Sequence, residues 1–181
     1  MADLLTTHRR LLARFRKSMN LVGPGDLSLH YLDADRSLGW LQPTGHWVDL
    51  GTGAGLPGVP FAARFPDVSI DLVDSREKRC IFLEKVLAEA DLGDRAPITV
   101  RHMRVEDLPA AAYDGILARA FTPPPKLLRH AERLLVPGGT LVLLLQDDTP
   151  VPPTDAFEVF HVEPYVVDRK HRKAVGLRFE G

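Results

Sequence analysis

The chain has 181 residues, of which 45% are hydrophobic and 26% are charged, and its formal net charge is −1. This length suits one α/β domain with a short extension and is too small for two full domains. The single cysteine, Cys80, excludes an internal disulfide framework. The longest apolar run, Leu141 to Leu145, is too short to span a membrane, and the first residues lack the apolar stretch of a signal peptide. We therefore expect a soluble, cytoplasmic protein.

The histidines give no sign of a metal site, because none of the seven has ligand spacing with cysteine or carboxylate residues. Basic residues crowd two places, at positions 9, 10, 14, 16 and 17 and at positions 169, 170, 172 and 173. These runs fit two solvated faces as well as two basic edges beside a more acidic centre.

Residues 1–45 predict a short helical extension of the same domain. Leu4 to Met19 is amphipathic with helical spacing, and the Gly-Pro-Gly sequence at 23–25 ends it. Asp26 is the expected N-cap of a second helix that continues to about Leu41.

Residues 46–181 predict alternating strands and helices. Strands buried on both faces indicate a parallel sheet between helices, and right-handed crossovers make it doubly wound. The predicted class is α/β, a Rossmann-like, seven-stranded, mostly parallel sheet with helices on both faces. Pro137-Gly138-Gly139 is interpreted as a turn. The expected strands are His46–Leu50, Val68–Val73, Ile98–Arg101, Gly115–Ala118 and Thr140–Leu145, closed by Phe157–Val162 and Ala174–Phe179; the expected helices cover 56–65, 75–90 and 125–135.

The segment from Val48 to Gly58, VDLGTGAGLPG, is the most informative in the chain. Alternating glycines after an apolar strand let the backbone turn sharply and approach a ligand without interference from Cβ atoms. The following helix directs free N–H groups and its positive dipole end toward the same crevice. The segment predicts a nucleotide-like ligand.

Two ligands compete for this loop. Gly53-x-Gly55-x-x-Gly58 satisfies a dinucleotide fingerprint, so an NAD-dependent oxidoreductase has to be considered. In that register, however, Asp49 and Thr52 would fall at the strand end that meets the pyrophosphate, with an anion placed against anions. A carboxylate before the first glycine suits a ligand with an ammonium group, such as the methionine end of S-adenosylmethionine.

Asp74 follows the second predicted strand at the edge of the crevice. A carboxylate there can accept hydrogen bonds from both ribose hydroxyls, for NAD and for S-adenosylmethionine alike. Asp74 could instead be the N-cap of the next helix, but Ser75 could equally take that position.

Four segments together resemble one known family: DLGTGAGLPGVP, LVDSREKRCIFLEKV, LARAF and LLVPGGTLVLL. They are similar to the RsmG (GidB) family of 16S rRNA guanine-N7 methyltransferases, from about Arg16 to the C-terminus. The resemblance implies S-adenosylmethionine as methyl donor and 16S rRNA, or the small ribosomal subunit, as partner. Guanine N7 has a free lone pair and needs no general base, which agrees with the lack of an obvious catalytic dyad.

The resemblance also implies site residues. Asp49 and the loop glycines would hold the methionine half, Asp74 the ribose, and Val105-Glu106 the adenine side. Arg119, the implied catalytic residue, would face the place where cofactor and guanine meet. The cofactor contacts are thus expected from Asp49, Gly51, Thr52, Gly53, Gly55, Leu56, Asp74, Ser75, Val105, Glu106 and Arg119, and the substrate contacts from Asn20, His30, Phe121 and Arg172.

The chain departs from the family's pattern on the expected substrate side. Val22, Leu29 and Ala34 replace the usual threonine, arginine and serine, and Gln146 stands near the place of a lysine. Two alternatives therefore remain beside an rRNA enzyme. One is a paralogue that methylates another RNA or a small molecule, and the other is a non-catalytic module that binds S-adenosylmethionine or RNA.

Overall fold

A computed structural model, which describes residues 2–151 and 153–181, contains one sheet of seven strands. In chain order the strands are β1 (His46–Leu50), β2 (Ser69–Asp74), β3 (Ile98–His102), β4 (Tyr113–Arg119), β5 (Leu135–Gln146), β6 (Phe157–Val167) and β7 (Lys170–Phe179). Their spatial order is β3-β2-β1-β4-β5-β7-β6. Strands β1 to β5 are parallel, whereas β7 runs antiparallel to both of its neighbours. The predicted mostly parallel, seven-stranded sheet is confirmed.

Helices cover both faces of this sheet, as predicted. They are α1 (Leu4–Phe15), α2 (Ser28–Leu38), α3 (Gly58–Arg64), α4 (Glu77–Glu89) and α5 (Pro124–Leu134), with one 3₁₀ turn at Val105–Asp107. Helices α1 to α4 share one apolar cluster with one face of the sheet. Helix α5 and the 3₁₀ turn pack in a second cluster on the other face.

The predicted turn at Pro137-Gly138-Gly139 is wrong, because these residues lie inside β5. Strand β4 pairs Tyr113 with Leu135 and then Gly115 with Thr140, so β5 carries extra residues at this point. Such a bulge lets the ladder resume after an irregular stretch, and Gly138 supports it with a φ of +79°. Proline and glycine residues, which usually form turns, here form an irregular stretch inside a strand.

The closing strands are longer than expected, since β6 and β7 form a continuous hairpin. Val167 pairs with Lys170, which leaves a two-residue loop of Asp168 and Arg169. Both loop residues have positive φ, at 48° and 60°, as in the type I′ turn that matches the twist of two strands. Because Gln146 pairs with Arg172, this basic hairpin tip lies at the carboxyl-end edge of the parallel strands.

The N-terminal helices differ from expectation at their ends. Helix α1 ends at Phe15, and residues 16–20 form turns. The N-cap of α2 is Leu27; Asp26 lies one residue earlier and accepts hydrogen bonds from the Ser28 backbone and hydroxyl, at 2.8 and 2.7 Å. The division into residues 1–45 and 46–181 stays a prediction. Within the described ranges, we find no helix with the length and apolarity required to cross a bilayer.

Candidate active site

The glycine loop follows β1 at the carboxyl-end edge of the sheet. Gly51, Gly53 and Gly55 have φ values of +66°, +61° and +84°, a region that residues with a Cβ atom seldom occupy. At Gly51 a Cβ atom would lie 2.4 Å from Cδ2 of Phe121. The first glycine is therefore required both by its backbone angle and by the aromatic ring that packs on it.

Asp49 lies beneath the loop and is 1% exposed. Its Oδ2 atom accepts hydrogen bonds from the Thr52 hydroxyl, at 2.6 Å, and from the Gly58 amide, at 2.9 Å. Burial raises the pKa of Asp49 to about 6, against the lowering effect of these two hydrogen bonds. The carboxylate ties the start of the loop to the first turn of α3, an arrangement that the sequence analysis did not foresee.

Asp74, at the end of β2, holds the loop from the other side. Its Oδ2 atom accepts hydrogen bonds from the Gly53 amide at 2.9 Å and from the Arg79 guanidinium at 3.0 Å. Its Oδ1 atom accepts from the Arg76 amide at 2.9 Å. A carboxylate has about four lone-pair sites, so the three bonds leave room for one further donor.

A cavity of about 460 Å³ opens beside the glycine loop, and we call it the loop cavity. This volume is within the usual range of roughly 300–1,000 Å³ for small-molecule sites. It brings together several predicted site residues from four strand ends. The predicted residues that line it are Gly51, Asp74, Ser75, Val105, Glu106 and Phe121. Thr52 and Leu56 are instead buried, at 2% and 4% exposure.

One residue that the sequence analysis missed holds the far wall of the loop cavity. Arg133, in α5, donates hydrogen bonds to the carbonyl oxygens of Val105 and Leu108, each at 2.6 Å. These bonds fix the 3₁₀ turn that carries Glu106. Arg133 is one of three basic residues of an amphipathic helix, and its place in the sequence gave no signal of this contact.

A second cavity of about 250 Å³ adjoins the first, and we call it the arginine cavity. Arg119, Arg172, Phe121, Tyr165 and Gln146 are among its lining residues, and it shares residues 120–122 with the loop cavity. The structure therefore brings two predicted substrate residues, Phe121 and Arg172, next to the predicted catalytic Arg119.

Both arginines of this cavity are paired with one carboxylate. Asp33 accepts a hydrogen bond from Arg119 at 2.9 Å, bonds of 3.1 Å from Arg172 to each of its oxygens, and one of 3.1 Å from the Tyr165 hydroxyl. The Asp33 side chain is 4% exposed, and those of Arg119 and Arg172 are 20% and 25% exposed. Burial and the neighbouring carboxylate raise the pKa of Tyr165, which keeps its proton.

Comparison with known proteins decides the family. A family model described as rRNA small subunit methyltransferase G matches residues 1–153. The chain belongs to this family. The ribosomal RNA small subunit methyltransferase G of Novosphingobium aromaticivorans is 38% identical over 183 residues, covering 94% of this chain and 78% of the relative. That of Legionella pneumophila is 31% identical over 172 residues, covering 91% and 80%.

Solved structures agree on the fold. A SAM-dependent methyltransferase from Methanosarcina mazei superposes with a TM-score of 0.62 at 13% identity, covering 78% of this chain and 95% of its own. A protein from Agrobacterium tumefaciens described as a predicted O-methyltransferase gives a TM-score of 0.66 at 20% identity, with coverages of 82% and 80%. The expected resemblance, the methyltransferase class and the cofactor S-adenosylmethionine are confirmed.

In this methyltransferase, the remaining predicted substrate residues lie apart from one another. His30, in α2, lines a third cavity together with Asp33, Lys170 and Arg172. Burial and the positive charges of Arg119 and Arg172 lower the pKa of His30, and Asp33 opposes them. Asn20 lies exposed in the turns after α1, with a φ of 52°, and it does not line any of these three cavities.

His8 is a further contact of the glycine loop that the sequence analysis did not single out. Its fully buried ring places Nε2 2.6 Å from the Ala54 carbonyl oxygen and Nδ1 2.7 Å from the Tyr31 hydroxyl. A carbonyl can only accept, so Nε2 carries the proton and Nδ1 accepts from Tyr31. Burial lowers the pKa of His8 to about 4, so the ring is neutral at pH 7. Helices α1 and α2 thus stabilise the loop through the hydrogen bond from His8 to the Ala54 carbonyl.

Among the described residues, no group of three or more His, Cys, Asp or Glu side chains is arranged to hold a metal ion. The prediction of a metal-free enzyme stays a prediction.

Proposed function

We propose that this protein transfers a methyl group from S-adenosylmethionine to N7 of a guanine in 16S rRNA. The observation that carries the proposal is the pair of adjoining cavities that share residues 120–122. One of them carries the glycine loop and two acids, and the other carries two guanidinium groups beside aromatic rings. A donor and an acceptor placed in these cavities would meet at Phe121.

The residues of the loop cavity fit S-adenosylmethionine. Gly51 lines this cavity with its backbone, and its positive φ of +66° gives the turn that brings this backbone to the cavity wall. Asp74 has room for a ribose hydroxyl as donor, and Val105-Glu106 closes the end where the adenine would lie. Asp49 acts in this proposal by holding the loop, and its direct contact with the methionine ammonium stays a prediction.

When bound, the cofactor supplies a methyl group on a sulfonium centre. Transfer is a direct displacement: the N7–carbon bond forms, the carbon–sulfur bond breaks, and its electron pair stays on sulfur. No proton moves, so the residues have only to align the two reactants. Arg119 and Arg172 can bind the oxygen or phosphate groups of a nucleotide, and the exposed part of Phe121 can stack on its base.

The proposed acceptor is RNA of the small ribosomal subunit, free or assembled, and the proposed place of action is therefore the cytoplasm. Sequence-specific recognition of RNA usually targets an unpaired or splayed base, whose Hoogsteen edge, including N7, is accessible. The arginine cavity opens at the sheet edge that also carries the exposed hairpin residues Arg169 and Lys170, whose charges suit the flanking phosphates.

A methyl-transfer assay tests this proposal. Tritiated S-adenosylmethionine is offered with 30S subunits, with free 16S rRNA and with a pool of small metabolites, and the product is digested to locate the label. Label on guanine N7 of 16S rRNA is expected. Label found only on another RNA or on a metabolite would mean that the residues that differ from the family's pattern, including Gln146, bind a different methyl acceptor. Calorimetric binding of NAD with no response to S-adenosylmethionine would overturn the proposal.

A further inference from the structure

His130 lines the loop cavity, and no other histidine of the described residues does so. Its side chain, in α5, is 13% exposed. Its Nε2 atom is buried and has no hydrogen-bond partner within residues 2–151 and 153–181. Buried polar atoms in folded proteins nearly always have a partner, and one without a partner calls for an explanation. A ligand in the loop cavity would supply that partner.

The ring is poised to accept a hydrogen bond. Burial lowers the pKa of His130; Lys126, Arg133 and Arg129 act in the same direction, and Glu106 opposes them. The imidazole is therefore neutral at pH 7, and in the tautomer with the proton on Nδ1 its Nε2 atom carries a lone pair.

A second acceptor lies beside it. Oε1 of Glu106 is 3.9 Å from Nε2 of His130, which is too far for a hydrogen bond between them. Hydrogen bonds within its own residue and the positive charges nearby lower the pKa of Glu106, so this carboxylate is ionised at neutral pH. Two acceptors this close to each other can both be used by a group with two N–H donors on a single nitrogen, such as an –NH₂ group.

The cofactor of the proposed function carries such a group, the exocyclic amine of its adenine. We propose that His130 is a cofactor-binding residue whose Nε2 atom accepts a hydrogen bond from this amine, with Glu106 as the second acceptor. The inference rests on the proposed function, since it needs the adenine to lie at the Val105-Glu106 end of the loop cavity. Neither residue takes part in methyl transfer itself, and both act in recognising the adenosine half.

Binding of two ligands to the full chain tests the inference without any turnover. The ligands are S-adenosylhomocysteine and its analogue in which hydrogen replaces the exocyclic amine, and dissociation constants are measured by calorimetry. Three variants are compared with the wild type. His130→Phe keeps a planar ring without an acceptor, and His130→Gln keeps an acceptor. His161→Phe makes the same change in a histidine that stacks on Trp40, outside the loop cavity, with ring centroids 4.2 Å apart.

We expect His130→Phe to weaken S-adenosylhomocysteine binding about five- to tenfold, the size of one lost hydrogen bond. The same variant should bind the analogue without the exocyclic amine as tightly as the wild type does, because that ligand lacks the hydrogen-bond donor. His130→Gln should recover most of the affinity, and His161→Phe should bind both ligands like the wild type. Melting temperatures of all four proteins show that each is folded.

Each outcome separates the inference from the function on which it rests. Equal weakening of both ligands by His130→Phe would mean that the ring only shapes the cavity, and unchanged binding of both would remove His130 from the site. In either case the wild type would still bind S-adenosylhomocysteine, so the proposed function would stand. A wild type that binds neither ligand would overturn both.

Discussion

The carboxylate of Asp33, in α2, and the guanidinium of Arg119, at the end of β4, are 2.9 Å apart although 86 residues separate them in the chain. Arg172, from β7, reaches the same carboxylate. One acid from α2 therefore orients the two cations that line the arginine cavity. Removing a partner from a mostly buried ion pair leaves an uncompensated charge, which costs far more than losing an exposed pair.

We expect Asp33→Asn to lower the free energy of unfolding by about 2–3 kcal/mol, less than for a fully buried pair because both arginines keep some contact with water. The KM for RNA should rise, while S-adenosylmethionine binding changes little, since Asp33 does not line the loop cavity. Denaturant titration and steady-state kinetics measure these effects. Asp35→Asn is the control, because Asp35 pairs with Arg64 at 68% side-chain exposure and should cost less than about 0.5 kcal/mol. Equal losses in the two variants would contradict the prediction.

Gly51 and Gly53 offer a matched pair of alanine substitutions. Their φ values are nearly equal, at +66° and +61°, so the backbone strain of alanine is shared. Their surroundings differ: the new Cβ atom would lie 2.4 Å from Phe121 at position 51, but 3.7 Å from its nearest neighbour, Arg79, at position 53. We expect Gly51→Ala to cost about 1–3 kcal/mol more stability than Gly53→Ala, as overpacking does.

The added variant Phe121→Ala tests the cause of that difference. In the double variant Gly51→Ala/Phe121→Ala the clash is gone, so the effects of the two substitutions on unfolding should be less than additive. Additive losses in denaturant titration would show that the ring does not constrain Gly51.

The glycine loop could be predicted from the sequence because its determinants are neighbours in the chain. Asp49, the alternating glycines and Gly58 lie within ten residues, and their order alone indicates a turn that faces a ligand. The parallel sheet could equally be predicted from the sequence, since apolar strands that alternate with helices have few other arrangements. Local patterns were sufficient for both.

Contacts between distant elements could not be predicted in this way. The pairing of Asp33 with Arg119 and Arg172 requires α2, β4 and β7 to meet at one edge, and no local pattern indicates it. The same holds for His8, which reads as one more residue of an amphipathic helix. The prediction at Pro137-Gly138-Gly139 was wrong for a related reason, because pairing with β4 on one side and β7 on the other keeps flanking residues in strand conformation despite their turn propensity.

The buried Asp49 predicts a specific pH dependence. Its pKa rises from 3.8 to about 6 on folding, so between these values the folded state binds more protons than the unfolded state. The wild type should therefore lose stability as the pH increases from 4 to 6. Asp49→Asn cannot titrate, so its stability relative to the wild type should increase over this range, by about 3 kcal/mol at most.

Denaturant titrations of both proteins at several pH values measure this difference. Asp26→Asn is the control. Hydrogen bonds from Ser28 lower the pKa of this exposed carboxyl below 3.8, so its effect on stability changes mainly below about pH 4, and the stability of this variant relative to the wild type should stay nearly constant from pH 4 to pH 6. A flat difference for Asp49→Asn across pH 4–6 would show that Asp49 titrates as an exposed carboxyl does.

The hydrogen bonds of His8 predict that the N-terminal helices affect cofactor binding. In His8→Phe the Ala54 carbonyl loses its donor, and the loop between Gly53 and Gly55 has to be ordered when the ligand binds. We expect S-adenosylhomocysteine affinity to fall about tenfold, which corresponds to about 1.4 kcal/mol. Tyr31→Phe removes only the outer hydrogen bond and leaves the contact of Nε2 with Ala54, so its effect should be smaller.

Acid provides an independent check on the same ring. The pKa of His8 falls from 6.5 to about 4 on folding, so the folded state binds fewer protons, and the wild type loses stability as the pH drops through this range. His8→Phe has no such group, so the stability gap between the two proteins should narrow from pH 7 to pH 4. If affinity is unchanged in His8→Phe while the gap narrows as expected, His8 stabilises the fold without positioning the loop. If S-adenosylhomocysteine affinity is lowest in His8→Phe, intermediate in Tyr31→Phe and highest in the wild type, the hydrogen bond to the Ala54 carbonyl is the cause of the effect.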